Sequence, residues 1–380
     1  MQRAVLLIAL FSLGVPRTGI CAEPTRLSPV MLDLYIKKLT SSSEPQRNAT
    51  VAQFKSSPEQ AAAVFEALTA KSELALKELL ASKESDARIA HARTAQKLHA
   101  ELAVLRQKIG VRPPAKGGDP EFVQLVDAHQ KYFNAMKSYW SSEGALERSA
   151  RDLQRAVALL KPVVGKSAEG AQDVQALLWE RMPPELKTFI EQEEKYYNRA
   201  RQVLVWNRDK TAFAQDYERT GVGVFNQYRL LHGVQPAELE ECLHTAARKH
   251  TQEQVDMNYF GHESPVAEHK TWDTRIRLAG YSGSPHSEDC AMGMGASKQG
   301  AINNFGMWVF SPGHHAPIRH PNMNQVAIGM VASKATACFG ENAKLLSSSL
   351  DASAFDFSQI EVDHKLLRSI FNGPPPGQHK

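Results

Sequence analysis

Cysteine is scarce in this chain, with four among 380 residues. That number cannot build a disulfide-rich scaffold, and the spacing matches no zinc site made from cysteines. Charge imbalance is equally slight. Lys and Arg exceed Asp and Glu by only four, and the basic residues alternate with acidic ones along the chain. A surface that tracks phosphates needs clustered positive charge, so no nucleic-acid signature is present. A membrane-spanning run is also missing, because the apolar stretch Ala4 to Leu13 is too short to cross a bilayer. Between about Pro58 and Arg219 glycine and β-branched residues are few, which argues against a sheet there.

What is present is an average globular composition, 42% hydrophobic and 23% charged, on a chain long enough for two domains of about 100–200 residues. The N-terminus reads as a secretory signal: Arg3 precedes the apolar run, and Cys21-Ala22 supplies small residues at a cleavage point after Ala22. The expected product is secreted, extracellular or periplasmic, with no transmembrane segment in the mature chain. Loss of Cys21 would leave Cys242, Cys290 and Cys338, for which one disulfide and one free thiol are expected.

Residues 23–56 read as a linker of low order. Residues 57–219 read as a helical bundle or hairpin domain, rich in Ala, Leu, Glu, Lys and Gln. Ser57-Pro58 and Asp119-Pro120 are helix starts, and Pro113-Pro114 with Gly117-Gly118 breaks the run between them. Tyr132, Phe133, Tyr139, Trp140, Tyr196 and Tyr197 read as core rather than as a stacking surface. Beyond residue 338 a polar stretch, a short amphipathic segment around Leu366 and Phe371, and a Pro-rich end read as a partly ordered tail.

Composition changes after about Gly221. Nine of the 14 histidines fall between His232 and His320, which places any chemistry here. Helices are expected over Val224–Leu231 and Ala237–Met257, and a strand over Gln325–Val331. In order come Phe225-Asn226-Gln227-Tyr228-Arg229, Ala246-Ala247-Arg248-Lys249-His250 and Tyr259-Phe260-Gly261-His262. Arg275 with Gly280-Tyr281, Glu288, Trp308 with Ser311-Pro312-Gly313-His314, and Val326 to Gly329 follow.

This co-linear set resembles the CAP superfamily, specifically its bacterial SCP-like branch, over about residues 224–331. The resemblance implies an α+β fold, an α-β-α sandwich over residues 220–338 preceded by the all-α region. It also implies a cleft where His262, Glu288 and His314 converge. Ser311, His315 and Gln325 are placed at the same cleft. Departures from the pattern accompany the likeness. Ser287-Glu288-Asp289 stands where Gly-Glu-Asn is usual, adding a carboxylate beside Glu288, and His315 stands where Arg is usual. Gln325 lies near the fourth acidic position.

Two imidazoles and a carboxylate suffice to hold zinc or another divalent metal with one position open, or to form an acid–base pair. The expected function is a secreted module that binds a metal or an extracellular ligand, such as a lipid or cell-surface component, at this cleft. One rival is a metal-assisted hydrolase, with zinc on His262 and His314 and Glu288 as its general base. Another is a structural protein that forms an oligomer through its helical domain.

Overall fold

A computed structural model describes residues 27–165, 173–351 and 355–372. The expected secretory signal lies outside the described residues.

The first helices owe their positions to caps. Ser28 and Ser43 accept hydrogen bonds from Met31 N–H and Gln46 N–H, starting α1 (Pro29–Leu39) and α2 (Glu44–Lys55), each with Pro in its first turn. The expected linker is therefore two short helices. Their few apolar side chains, among them Tyr35, Ile36, Leu39 and Phe54, are buried in a core with neighbouring helices, which polar composition alone conceals. α3 (Pro58–Ala81) follows, although Ser57 makes no side-chain cap bond. Ser82 separates it from α4 (Lys83–Ile109). Asp119 caps α5 (Pro120–Ser141) through Glu121 N–H and Phe122 N–H. α6 (Ala145–Val164) stops at Gly165, whose left-handed φ of 63° suits a residue without Cβ. α7 (Val174–Glu180) and α8 (Pro184–Asp209) complete the helical region.

Packing divides the chain into two compact units whose boundary differs from the one composition suggests. One contains the described part of residues 1–85 with Gly144–Glu180. There α3 lies along α6, and Val64, Leu68, Leu79, Val157 and Leu160 form the seam with α1, α2 and α7 around it. The other unit contains Asp86–Glu143 and everything described after Arg181. Most of α4, together with α5 and α8, thus belongs with the C-terminal half. Periodicity locates an apolar face but not the surface that covers it.

Much of that cover comes from the segment expected to be a tail. Phe357 stacks on Trp140 at 4.6 Å and meets Tyr197 at 5.3 Å. Farther on, α14 (His364–Asn372) buries Leu367 and Phe371 completely and packs on α5. The expected core role of Tyr132, Phe133, Tyr139 and Tyr197 is met, since all four are buried.

The C-terminal half is a sandwich around a four-stranded sheet. α9 (Asp216–Leu231), β1 (Glu238–Leu239) and α10 (Glu241–Asp256) come first, then α11 (Trp272–Leu278), β2 (Ser284–Met292), α12 (Lys298–Val309) and α13 (Pro312–Arg319). β3 (Gln325–Val331) and β4 (Lys334–Glu341) close the sheet as a hairpin, so the strand expected over Gln325–Val331 is not the last. The strand order is β1-β3-β4-β2, with β1 parallel to β3 and the other pairs antiparallel. β3 and β4 are buried on both faces, α10 covering one and α9 the other, with α12 packed against α9 and β2.

Two contacts hold these layers together. At Gly329 a Cβ would lie 2.4 Å from Arg248 N, so α10 reaches β3 only because no side chain intervenes. Glu218, fully buried on α9, accepts from Gln215 N–H, Met330 N–H (both 2.9 Å) and Arg248 (2.6 Å), and pairs with His244 at 2.9 Å. One carboxylate joins α9, α10 and β3.

Candidate functional site

β2 carries the acid of the site. Strand alternation sends Glu288 and Cys290 toward α10 and α11, and Asp289 to the opposite face. The carboxylate expected to add negative charge beside Glu288 therefore points away from it. Burial holds the Asp289 acid well above the usual carboxylate range, with the Glu288 charge adding to the effect.

Glu288 is held from both sides. Oε1 lies 3.1 Å from His262 Nδ1, and Oε2 accepts from Arg275 Nη2 at 2.7 Å. The same Arg275 nitrogen donates to the carbonyl of His262 at 2.8 Å, while Nη1 donates to the carbonyls of His269 and Lys270. One buried guanidinium thus ties the loop after α10 to β2 and fixes His262 against its carboxylate. The Glu288 side chain is fully shielded from solvent, whereas that of His262 is 49% exposed. The hydrogen bond to Glu288 raises the His262 imidazole above its ordinary value, against a smaller opposing effect of burial.

His250 braces the same loop from α10. Its Nε2 meets the carbonyl of Gly261 at 3.0 Å, which assigns the ring proton to that nitrogen, and its Nδ1 lies 3.3 Å from Tyr259 Oη. Burial lowers its basicity, and the ring lies 3.8 Å from Glu288 Oε1. Tyr259 donates in turn to Glu253, which pairs with His269 at 3.1 Å. A cavity of about 310 Å³ is walled by Lys249, His250, Glu253, His269, Arg275 and Leu278.

Of the residues expected at the cleft, the structure brings together His262, Glu288 and, at the edge, His314. The His314 ring, in the first turn of α13, lies 6.5 Å centroid to centroid from that of His262. Burial lowers its imidazole, and the neighbouring His262 lowers it further. Ser311 is partly buried at the cap position of α13, where its carbonyl accepts the N–H of His315.

His315 and Gln325 are not at the cleft. His315 is fully buried, with Nε2 2.7 Å from Tyr228 Oη and Nδ1 3.0 Å from the carbonyl of Val111. Helical geometry turns adjacent residues about 100° apart, so His314 and His315 face different surroundings. Gln325 donates to Glu238 and accepts from Tyr281 inside the fold.

Arg275, His250 and Cys290 complete the site and escaped a reading by residue type. Arg275 and His250 lie in the quoted motifs, but nothing in their spacing shows that they converge on Glu288. Cys290, set aside with the other cysteines, has its Sγ 3.6 Å from Glu288 Oε1 and 3.7 Å from His262 Nδ1. The expected disulfide does not form: Cys242, Cys290 and Cys338 are all free. In the ladder Cys290 faces Thr336 and Cys338 faces Glu288. The two cysteines are thus diagonal neighbours, their Cα atoms about 7–8 Å apart and beyond disulfide reach.

Residues 222–339 match the family model described as "CAP: Cysteine-rich secretory protein family". The "Uncharacterized protein YkwD" of Bacillus subtilis (strain 168) is 29% identical over 117 residues, covering 31% of this chain and 43% of that protein. The chain thus spans less than half the length of this curated relative. Among solved structures, an extracellular protein containing a SCP domain from Bacillus anthracis str. Ames is similar at 20% identity. The match covers 33% of this chain and 40% of that one, with a TM-score of 0.30.

Proposed function

We propose that residues 222–339, which match the CAP family model, serve the chain as an exported binding module whose cleft takes a divalent cation or a ligand at His262. The observation that carries this reading is the division of labour between His262 and Glu288. The carboxylate is shielded from solvent with both oxygens engaged, while the imidazole it orients is half exposed. A carboxylate behind a histidine fixes the ring and strengthens its outer nitrogen as a donor.

The same geometry argues against the hydrolase reading. A general base for a bound water must reach that water. Glu288 faces the His262 ring and Arg275 instead, so it acts as a positioning residue. The residues present do fit a metal: the His262 and His314 rings lie 6.5 Å apart, centroid to centroid, and both supply imidazole donors. A cation held there would act as a Lewis acid or as an anchor for an anionic or carbonyl group. This chain's own part is to orient His262 through Glu288 and Arg275 and to lower the basicity of His314 by burying it.

Export is supported by the signal-like N-terminus. Among the described residues no helix is long and apolar enough to cross a membrane.

The test is calorimetric titration of zinc into the full chain, comparing the parent with His262→Ala. About one ion per chain, lost in the folded variant, is expected, with thermal stabilisation of the parent alone. Equal uptake by parent and variant would overturn the assignment.

A further inference from the structure

We propose that the cation binds on the inner side of His262, between His262 Nδ1, Glu288 Oε1 and Cys290 Sγ, and is therefore a thiophilic divalent ion. This inference rests on the reading that the cleft takes a metal but moves the ion from the outer to the inner nitrogen of His262, so that Glu288 Oε1 changes from the partner of that ring to a ligand.

The three atoms form a compact triangle with edges of 3.1 Å from nitrogen to oxygen, 3.6 Å from oxygen to sulfur and 3.7 Å from nitrogen to sulfur. A point equidistant from them lies about 2.0 Å from each, against bonds of about 2.0–2.3 Å in zinc sites, where sulfur takes the longest bond. The edges to sulfur are the longer ones here too. Nitrogen, oxygen and sulfur donors from three residues leave a fourth position open, the arrangement of a metal that also meets a ligand. The thiolate selects Zn²⁺, Co²⁺ or Cd²⁺ over Mg²⁺ and Ca²⁺, which prefer oxygen.

The surroundings suit such a site. His250, Glu288 and Cys290 are all buried and bring one donor each within 4.8 Å of one another. Because His250 Nε2 is committed to the carbonyl of Gly261, it supports the triangle instead of joining it. Arg275 occupies Glu288 Oε2, leaving Oε1 as a single donor toward the metal. Asp289, on the opposite face of β2, contributes nothing, so the donor set carries two negative charges, one from Glu288 and one from the thiolate.

The protons balance. Without metal, His262 Nδ1–H donates to Glu288 and Cys290 is a thiol. Metal entry moves the His262 proton to the exposed Nε2 and displaces the thiol proton, releasing one proton per ion bound.

The experiment uses the reduced full chain and cobalt(II) as the probe, in the parent and in Cys290→Ser, His314→Ala and Cys242→Ser. Expected is one ion per chain with a thiolate-to-cobalt charge-transfer band, kept in His314→Ala and Cys242→Ser and lost in Cys290→Ser. Cobalt bound by the parent without that band would overturn the inner site, even if Cys290→Ser did not fold. If His314→Ala then lost the ion, the cation would sit between the two imidazoles, leaving the broader reading intact. No cobalt or zinc uptake by the folded parent would overturn both.

Discussion

Acidification should destabilise the unit that contains the site, through four buried histidines remote from the cleft. His129 Nδ1 and His364 Nε2 lie 2.9 Å apart, joining α5 to α14. His315 is held between Tyr228 and the carbonyl of Val111. His232 is buried among Phe122, Tyr228 and His315. Burial draws His315 down to about 4, helped by Arg319, and His364 down to about 4, helped by Arg368. Burial also holds His129 and His232 well below the ordinary histidine value.

In the unfolded chain each histidine titrates near 6.5. Between pH 6.5 and 4 the unfolded chain therefore binds more protons, so stability is complete above about 6.5 and falls as the pH drops toward the folded-state values. At pH 5.5 His315 and His364 each cost about 1.4 kcal/mol, about 3 kcal/mol together, and His129 and His232 act in the same direction. His262 runs the other way. Its raised value contributes stability that is present below its unfolded value and is lost as the pH rises through the folded one.

Urea unfolding followed by tryptophan fluorescence at pH 7.5 and 5.5 measures the effect, and His364→Phe should remove about 1.4 kcal/mol of the difference. Equal stability at the two pH values would refute the reasoning, as would an unchanged pH slope in a folded His364→Phe.

Two further outcomes concern the layers that carry the site. Gly329→Ala places a Cβ against the backbone of Arg248. It should cost about 3 kcal/mol or more, read as a lower urea midpoint; an unchanged midpoint would mean that α10 does not approach β3 this closely. Glu218→Ala strips His244, Arg248 and two backbone N–H groups of their shared acceptor, and should cost about 3–5 kcal/mol. Stability within 1 kcal/mol of the parent, on the order of a surface substitution, would show that the buried carboxylate is dispensable.

Motif order was sufficient to place residues 224–331 in a CAP-type sandwich and to select His262, Glu288 and His314. Each is anchored by a local signature: the Tyr-Phe-Gly-His turn, the strand acid, and the Ser-Pro-Gly-His helix start. Cys290 was within reach of the same reading. It stands two residues after Glu288, and strand alternation puts the two on one face. Arg275 and His250 were not accessible in this way. Their roles depend on α11 and α10 folding over β2 from 13 and 38 residues away. His315 and Gln325 show the reverse error, because adjacency in sequence and likeness to a pattern do not specify which way a side chain turns.

The amino-acid sequence alone determined the helical character of residues 57–219, the strand over Gln325–Val331 and which residues carry donors, since caps, breaks and apolar periods act over one or two turns. Tertiary structure decided which donors share a point, that Asp289 faces away, that the segment after residue 338 covers α5 and α8, and that α4, α5 and α8 belong with the C-terminal half. These outcomes depend on which apolar face buries which, and that is settled by packing between residues far apart in the chain.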